Sequence, residues 1–409
     1  KSTRPACFSL PAMILSDINF SNGIQIMTDE KNLEGFEAEK QARRYNRIKR
    51  RFQYVQLGLG LIYLLVFVFT DLSFGLSDLA ARIGSNYFFQ ILIYFSVFML
   101  LFELTTLPLS IASGFFAERR FGLLRQSGFG WALDYVKSTV LGLVMGGAAV
   151  ELLYFVISRT GDWWWLVAGT VFAFCFFLLA QLTPVLILPL FYKFKPLPET
   201  DLSERLNRLC ERAKTKVRGI YEWGLAAKTR EANAALMGWG ATRRVVISDT
   251  LLNNFEPAEV EVILAHELGH HGLRHMPRLL VIQIFMTFFT FAVCDRVFRV
   301  LGPSIGFESL QDIAGLPLLV LIFFLIGLLA LPAINMYSRK LERGADRYAI
   351  KFTGLAEPFA SAMNRLAKLN LTESEPHPVI EFLFYSHPSP AKRIQSALRY
   401  GSEETGPAR

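Results

Sequence analysis

The chain has 409 residues, of which 52% are hydrophobic and 19% charged, and its mean hydropathy is +0.33. Thirty-six phenylalanines are more than a soluble core of this size needs, which excludes an ordinary soluble enzyme and points to membrane spans. The net charge of +8 does not indicate nucleic acid, because the basic residues cluster beside apolar runs, as in the cytoplasmic loops of membrane proteins.

In chain order, the apolar run from Ala6 to Leu15 has the length of a signal h-region and is too short to span. Residues Thr28 to Arg51 are polar and end in Lys40, Arg43, Arg44, Arg47, Lys49, Arg50 and Arg51, which suits a solvated helix that anchors a first span on its cytoplasmic side. Six spans are expected, at 54–75, 87–112, 132–157, 164–190, 278–301 and 314–337. The loops with Arg119, Arg120 and Arg125, with Lys193 and Lys195, and with Arg339, Lys340 and Arg343 are basic and therefore cytoplasmic. Trp163, Trp164 and Trp165 stand where an interfacial aromatic belt belongs on the opposite face. Glu103, Glu151 and Asp295 fall within or at the ends of spans, where they face protein or water, either as structural carboxyls or as part of a polar cavity. The four cysteines, Cys7, Cys175, Cys210 and Cys294, are scattered and form no disulfide framework or CxxC site.

The polar segment 193–276 reads as an amphipathic helix from Leu197 to Lys216, strands at Val217–Trp223 and Arg243–Ser248, and then a helix that carries His266-Glu-Leu-Gly-His270. Asn253 and Asn254 are expected to cap that helix, Pro257 suits its first turn, and Gly272 is its stop. Histidines four apart share a helix face and can hold one zinc ion, with Glu267 beside them as a general base.

A catalytic zinc site needs a third protein ligand and an open position. Glu342 is the candidate, and Asp346, one turn further on, can reach a ligating histidine from outside. His270 shortly precedes the fifth span and Glu342 shortly follows the sixth, so a hairpin returns both to one membrane face. At about 1.5 Å per residue each lies within roughly 10 Å of that boundary, which places the site at the cytoplasmic surface. His271 and His275 fall off the ligand face and are read as structural, and His377 as a loop residue. His387, in a Pro-flanked turn, is either a surface residue or a donor to the transition state.

Several motifs together resemble the type I CAAX prenyl protease family, integral-membrane zinc endopeptidases of the HExxH gluzincin type. They are Leu107-Pro-Leu with Glu118-Arg-Arg-Phe-Gly122, Pro189 to Pro198, Asn233-Ala234, Val245 to Leu252, His266 to His270, Ser338 to Asp346, and Ser386-His-Pro388 with Arg393. The resemblance implies His266, His270 and Glu342 as ligands of Zn2+, Glu267 as base, and Asp346 as a supporting carboxylate or proton donor. It implies that His387 and Arg393 steady the oxyanion and the substrate end, and that Asn233 lies on an edge strand that aligns the peptide. It also implies an all-α multi-pass membrane fold, a helical barrel around a water-filled chamber, with a small cytoplasmic α/β protease portion. Relatives can carry a seventh, N-terminal span, and Thr229 to Ala235 lacks the family's usual histidine and tyrosine.

The expected function is endoproteolysis at the membrane, with a peptide or protein substrate that can bear a prenylated C-terminus, a lipid bilayer as partner, and no nucleic acid. Two alternatives remain in view: a heat-shock type quality-control metalloprotease, and a non-catalytic zinc-containing membrane binding protein. The chain divides into an N-terminal cytoplasmic segment (1–53), a four-span region (54–192), a cytoplasmic segment with the HExxH helix (193–276), a two-span hairpin (277–338) and a C-terminal cytoplasmic segment (339–409) with the third ligand.

Overall fold

The computed structural model describes residues 20–405 apart from Trp239 and Glu308. The apolar run at Ala6–Leu15 and Cys7 lie outside the described residues.

The basic segment and the first expected span form one helix, α1 (Phe20–Phe69). Its 50 residues reach about 75 Å, far more than a bilayer core, so the basic half stands outside the apolar layer. There Arg50 pairs with the buried Glu373 at 2.5 Å. A short helix, α2 (Leu72–Ile83), follows, which starts within the first expected span, 54–75, and runs beyond it. Its buried Ser73 hydroxyl donates to the Ala314 carbonyl at 2.6 Å and bonds the Tyr94 hydroxyl at 2.6 Å, which ties α2 into the membrane core.

The Asn86 side chain caps α3 (Tyr87–Ile111) by accepting from the Phe89 N–H. A π-turn at Ala112–Ala117 carries α3 on into the single turn α4 (Glu118–Arg120). Next come α5 (Gly128–Thr160), capped by Ser127, and α6 (Trp164–Leu182). Among the described residues there are five helical runs long and apolar enough to cross a membrane, where six spans were expected. The third and fourth expected spans belong to one run, Gly128–Leu190, because a 3-10 turn at Gly161–Trp163 replaces the loop between them. Gly161, at φ +50°, turns that run back on itself, and α5 packs against α6.

The Trp cluster also departs from expectation. Trp163 is exposed, but Trp164 is buried and donates from Nε1 to Asp295 at 2.7 Å. Arg299 completes that carboxylate's shell at 3.0 Å, so Asp295 is structural. Glu103 accepts from the Tyr135 hydroxyl at 2.7 Å, whereas one buried oxygen of Glu151 has no hydrogen-bond partner among the described residues.

The polar portion is built on a four-stranded sheet, in the order β1-β2-β4-β3. Its strands are β1 (Phe194–Pro196), β2 (Ile220–Trp223), β3 (Ala234–Met237) and β4 (Arg244–Ser248). The central pair β2–β4 is parallel and both flanking pairs are antiparallel, leaving β3 as an edge. The residue pattern indicated β2 and β4 but not β1, and the edge strand that the resemblance implied at Asn233 is β3, which starts one residue later at Ala234. Around the sheet lie α7 (Asp201–Arg212), α8 (Asp249–Asn254) and α9 (Pro257–Gly272). Leu206, Leu209, Val245, Ile247, Val260 and Leu264 form their common core.

Helix α10 (His275–Leu301) and helix α11 (Leu316–Thr353) form the expected hairpin. Helix α11 runs unbroken for 38 residues, from the membrane to beyond the site. Then come α12 (Ala356–Leu369), α13 (Pro378–Phe384) and α14 (Pro390–Thr405), and α12, α13 and α14 all pack near α11 or α9. His377 caps α13 by accepting from the Val379 N–H.

Candidate active site

Helix α9 starts at Pro257 with a box made by Glu256 and Glu259, whose Oε2 accepts from the Glu256 N–H at 2.9 Å. Asn253 and Asn254 do not cap it. They end α8, and Phe255 in extended conformation separates the two helices. Val260, Val262, Ile263, Leu264, Ala265 and Leu268 are all buried, so α9 is held by packing although it also carries Glu259, His266, Glu267 and His270. Gly269 sets its distance from α11: a Cβ there would meet the Tyr348 ring at 3.0 Å and the Ala345 carbonyl at 3.2 Å. That close crossing brings Glu342 up to the histidine face.

His266 Nε2 lies 3.1 Å from His270 Nε2, and Glu342 reaches His266 Nε2 at 3.3 Å and His270 Nε2 at 3.3 Å. One donor atom from each of the three residues falls within 4.8 Å of the others. Among the described residues no hydrogen-bond donor is assigned to the buried Glu342 Oε2. Two ring nitrogens and a carboxylate converge with an oxygen unspent, and donors about 2.0–2.1 Å from a tetrahedral ion stand about 3.3 Å apart, so the residues present fit a metal ion. Glu342 is therefore brought to the histidines, as the hairpin argument expected.

The supporting groups are in place around them. Asp346 is buried and its Oδ1 lies 2.8 Å from His266 Nδ1. Arg393, from α14, clasps Asp346 with Nη2 at 2.6 Å and Nε at 2.9 Å. His387 Nε2 stands 3.4 Å from Glu342 Oε1, and its Nδ1 lies 2.9 Å from the Ser386 hydroxyl. The loop that carries His387 is pinned from α11, where Arg339 donates to the Tyr385 carbonyl at 2.5 Å and Asn335 to that of Leu383 at 2.7 Å. Sequence reading missed both anchors. Their only signal was Arg339 lying within the Ser338 to Asp346 motif.

His275, read as a structural residue off the ligand face, stands directly against a ligand ring. It is buried, and its Nδ1 lies 3.0 Å from His270 Nδ1. The off-face argument assumed one continuous helix, but Arg274 takes the left-handed conformation, φ 56°, and ends that continuity. The break swings His275 back behind the ligand ring. His271 joins no ligand group.

A cavity of about 470 Å³ holds Asn233, His266, Glu267, Glu342, His387 and Arg393 on its walls. Burial pushes the Glu267 carboxyl above its ordinary range, against the pull of the neighbouring histidines. Partial desolvation in the cleft lowers His387, against the pull of Glu342. His266 behaves oppositely: burial disfavours its charge, but Asp346 and Glu342 raise it to about 9 in the metal-free chain.

Several apolar helical runs, with a buried metal-binding cluster and an acid beside it in an open cleft, define a multi-pass membrane metalloprotease. The model of peptidase family M48 matches residues 196–400, and that of the CAAX prenyl protease N-terminal region, described as five membrane helices, matches residues 31–193. The chain belongs to peptidase family M48. It is 30% identical over 324 residues to the uncharacterized metalloprotease YhfN of Bacillus subtilis, covering 78% of this chain and 75% of that protein. It is 30% identical over 300 residues to the CAAX prenyl protease 1 homolog of Arabidopsis thaliana, covering 72% and 70%. The crystal structure of S. mikatae Ste24p superposes with a TM-score of 0.79 at 25% identity, covering 88% of each chain.

Proposed function

We propose that this chain is a zinc endopeptidase that cuts an extended peptide laid beside β3, with prenylated C-termini as its favoured substrate class. One observation carries the reading: the open edge of β3 and the histidine–glutamate cluster share one cavity, with Asn233 leading into the strand. Asn233 spends its backbone on Ser248, whose N–H it accepts at 2.9 Å, so in the antiparallel alternation Ala234 and Leu236 turn their backbone groups to the open side. Those groups suit a substrate added as a further strand. The prenyl preference rests on the names of the relatives.

His266, His270 and Glu342 would hold the ion. Bound there, zinc supplies a Lewis acid that polarises the scissile carbonyl and acidifies water. Glu267 accepts the proton of the attacking water and delivers it to the leaving amine, a double task that suits a carboxyl held above its ordinary range. With the Ser386 hydroxyl donating to His387 Nδ1, the ring proton would lie on Nε2, which faces the cluster and would donate to the oxyanion. Asp346 accepts from His266 Nδ1 and so keeps Nε2 free for the metal. Arg393 holds Asp346 and meets the substrate end in the same cavity.

The basic loops orient the site to the cytoplasm, and the segments 1–53, 193–276 and 339–409 lie on that side, with 54–192 and 277–338 in the membrane. The test is hydrolysis of a prenylated CAAX peptide and its unprenylated twin by purified protein, wild type beside Glu267→Gln, with zinc measured on both. Zinc retained with cleavage reduced by about 10²–10⁴-fold in the variant supports the mechanism. Equal rates on the twins sink the prenyl preference, and equal rates for the two proteins sink Glu267 as the base.

A further inference from the structure

Behind the catalytic cluster lies a second cavity of about 360 Å³, walled by α11, α13 and α14. Four of its lining side chains are cations, Arg339, Arg343, Lys392 and Arg393, and two are carboxylates, Asp346 and Glu381. Arg393 is matched to Asp346 at 2.6 Å and Lys392 to Glu381 at 2.6 Å. Among the described residues no carboxylate pairs with Arg339. Its guanidinium bonds the carbonyls of Glu381 at 2.9 Å and Tyr385 at 2.5 Å, which carry no net charge. Arg343 is exposed at the rim and makes no ion pair among the described residues. Four cations against two carboxylates leave two positive charges uncompensated, both guanidinium. Gln395, Ser396 and Tyr400 add neutral hydrogen-bonding groups to the same wall.

We infer that this cavity binds a phosphate monoester group. Two uncompensated guanidinium groups match a dianion in charge, and guanidinium nitrogens are suited to its several acceptor oxygens. The position favours a headgroup from the bilayer. Arg339 and Arg343 follow the apolar part of α11 by only a few residues, so they sit at the membrane boundary. Exposed Phe382 lines the cavity, and exposed Val379 and Met336 lie on the same helices. Basic side chains beside exposed apolar ones at that depth are what an anionic lipid meets. The site is also linked to the chemistry: Arg393 and Pro388 line both cavities, and Arg393 holds the Asp346 that holds His266. An anion seated behind Arg393 therefore changes the setting of the catalytic cluster.

The experiment uses the metal-loaded full chain, as wild type, Arg343→Glu, and Arg208→Glu as a control with the same charge change at an exposed distant site. Arg343 touches neither the metal cluster nor the substrate cavity. In detergent, thermal unfolding is followed with inorganic phosphate against chloride at equal ionic strength. In vesicles, peptide hydrolysis is compared between neutral phosphatidylcholine and phosphatidylcholine with phosphatidic acid. The expected result is a phosphate-dependent rise in unfolding midpoint in wild type and Arg208→Glu that is lost in Arg343→Glu, and a rate change of about fivefold with phosphatidic acid, also lost in Arg343→Glu. Stabilisation by phosphate without any lipid effect assigns the cavity to a free phosphate compound. No stabilisation in wild type, or stabilisation that persists in Arg343→Glu, overturns the proposal, the latter placing the phosphate elsewhere, as on the metal.

Discussion

Replacing Asp346 with asparagine separates what this carboxylate does for stability from what it does for the metal. Asp346 is 4% exposed and meets three partners: His266 Nδ1 at 2.8 Å and two guanidinium nitrogens of Arg393 at 2.6 and 2.9 Å. Asparagine keeps the size and one acceptor, but it removes the charge and turns an amide N–H2 toward either Arg393 or His266. Arg393, with its side chain 13% exposed, is then a largely buried cation without its counter-charge. Breaking such a pair from one side costs about 3–5 kcal/mol. Losing the group that orients a ligating imidazole weakens metal binding by about 10–100-fold. Both are measurable on purified protein: stability by denaturant titration of the metal-loaded chain, affinity by competition with a chelating dye. A companion variant carrying Asp346→Asn with Arg393→Met removes both charges and should recover much of the lost stability without restoring metal affinity. If Asp346→Asn unfolds within about 1 kcal/mol of wild type and holds metal as tightly, the buried pair is neither a support for the fold nor an orienting device, and the reasoning fails.

Other outcomes follow from the same geometry. His275→Ala removes the partner of His270 Nδ1 and should weaken metal binding by about 10–100-fold, read by the same dye; unchanged affinity would leave His275 with packing alone. Metal uptake by the apo chain must displace the proton that His266 holds up to about pH 9, so apparent affinity should climb by about tenfold per pH unit between pH 6.5 and 8.5 and then level off; a flat profile refutes that. Asn233→Ala, at the mouth of the cavity, should raise KM by about 2–12-fold with kcat little changed, the effect of one hydrogen bond that aligns substrate; a fall confined to kcat would move Asn233 into the chemistry. Gly269→Val inserts bulk where even a Cβ meets Tyr348 at 3.0 Å, and it should lower metal occupancy together with stability; full occupancy in the purified variant would contradict the role of that close crossing.

Two kinds of signal made much of this molecule legible in its sequence. Hydropathy located the membrane helices because burial in lipid demands long apolar runs regardless of what they pack against. The four-residue spacing of His266 and His270 defined the face that meets Glu342 because helix periodicity is local. The hairpin of α10 and α11 then carried Glu342 back to that face by chain length alone. What failed depended on distant partners. Helix α2 is too short to announce itself by hydropathy and is held by Ser73 against Tyr94 and Ala314, hundreds of residues away in the second case. Trp164 looked like a belt residue until Asp295 appeared beside its ring nitrogen. Strand β1 is three residues long and exists through pairing with β2. His275 turned on one backbone conformation at Arg274, and no periodicity argument survives a break of the helix it assumes. Local spacing thus determined which residues can meet a metal, whereas long-range packing decided which residues stand behind them.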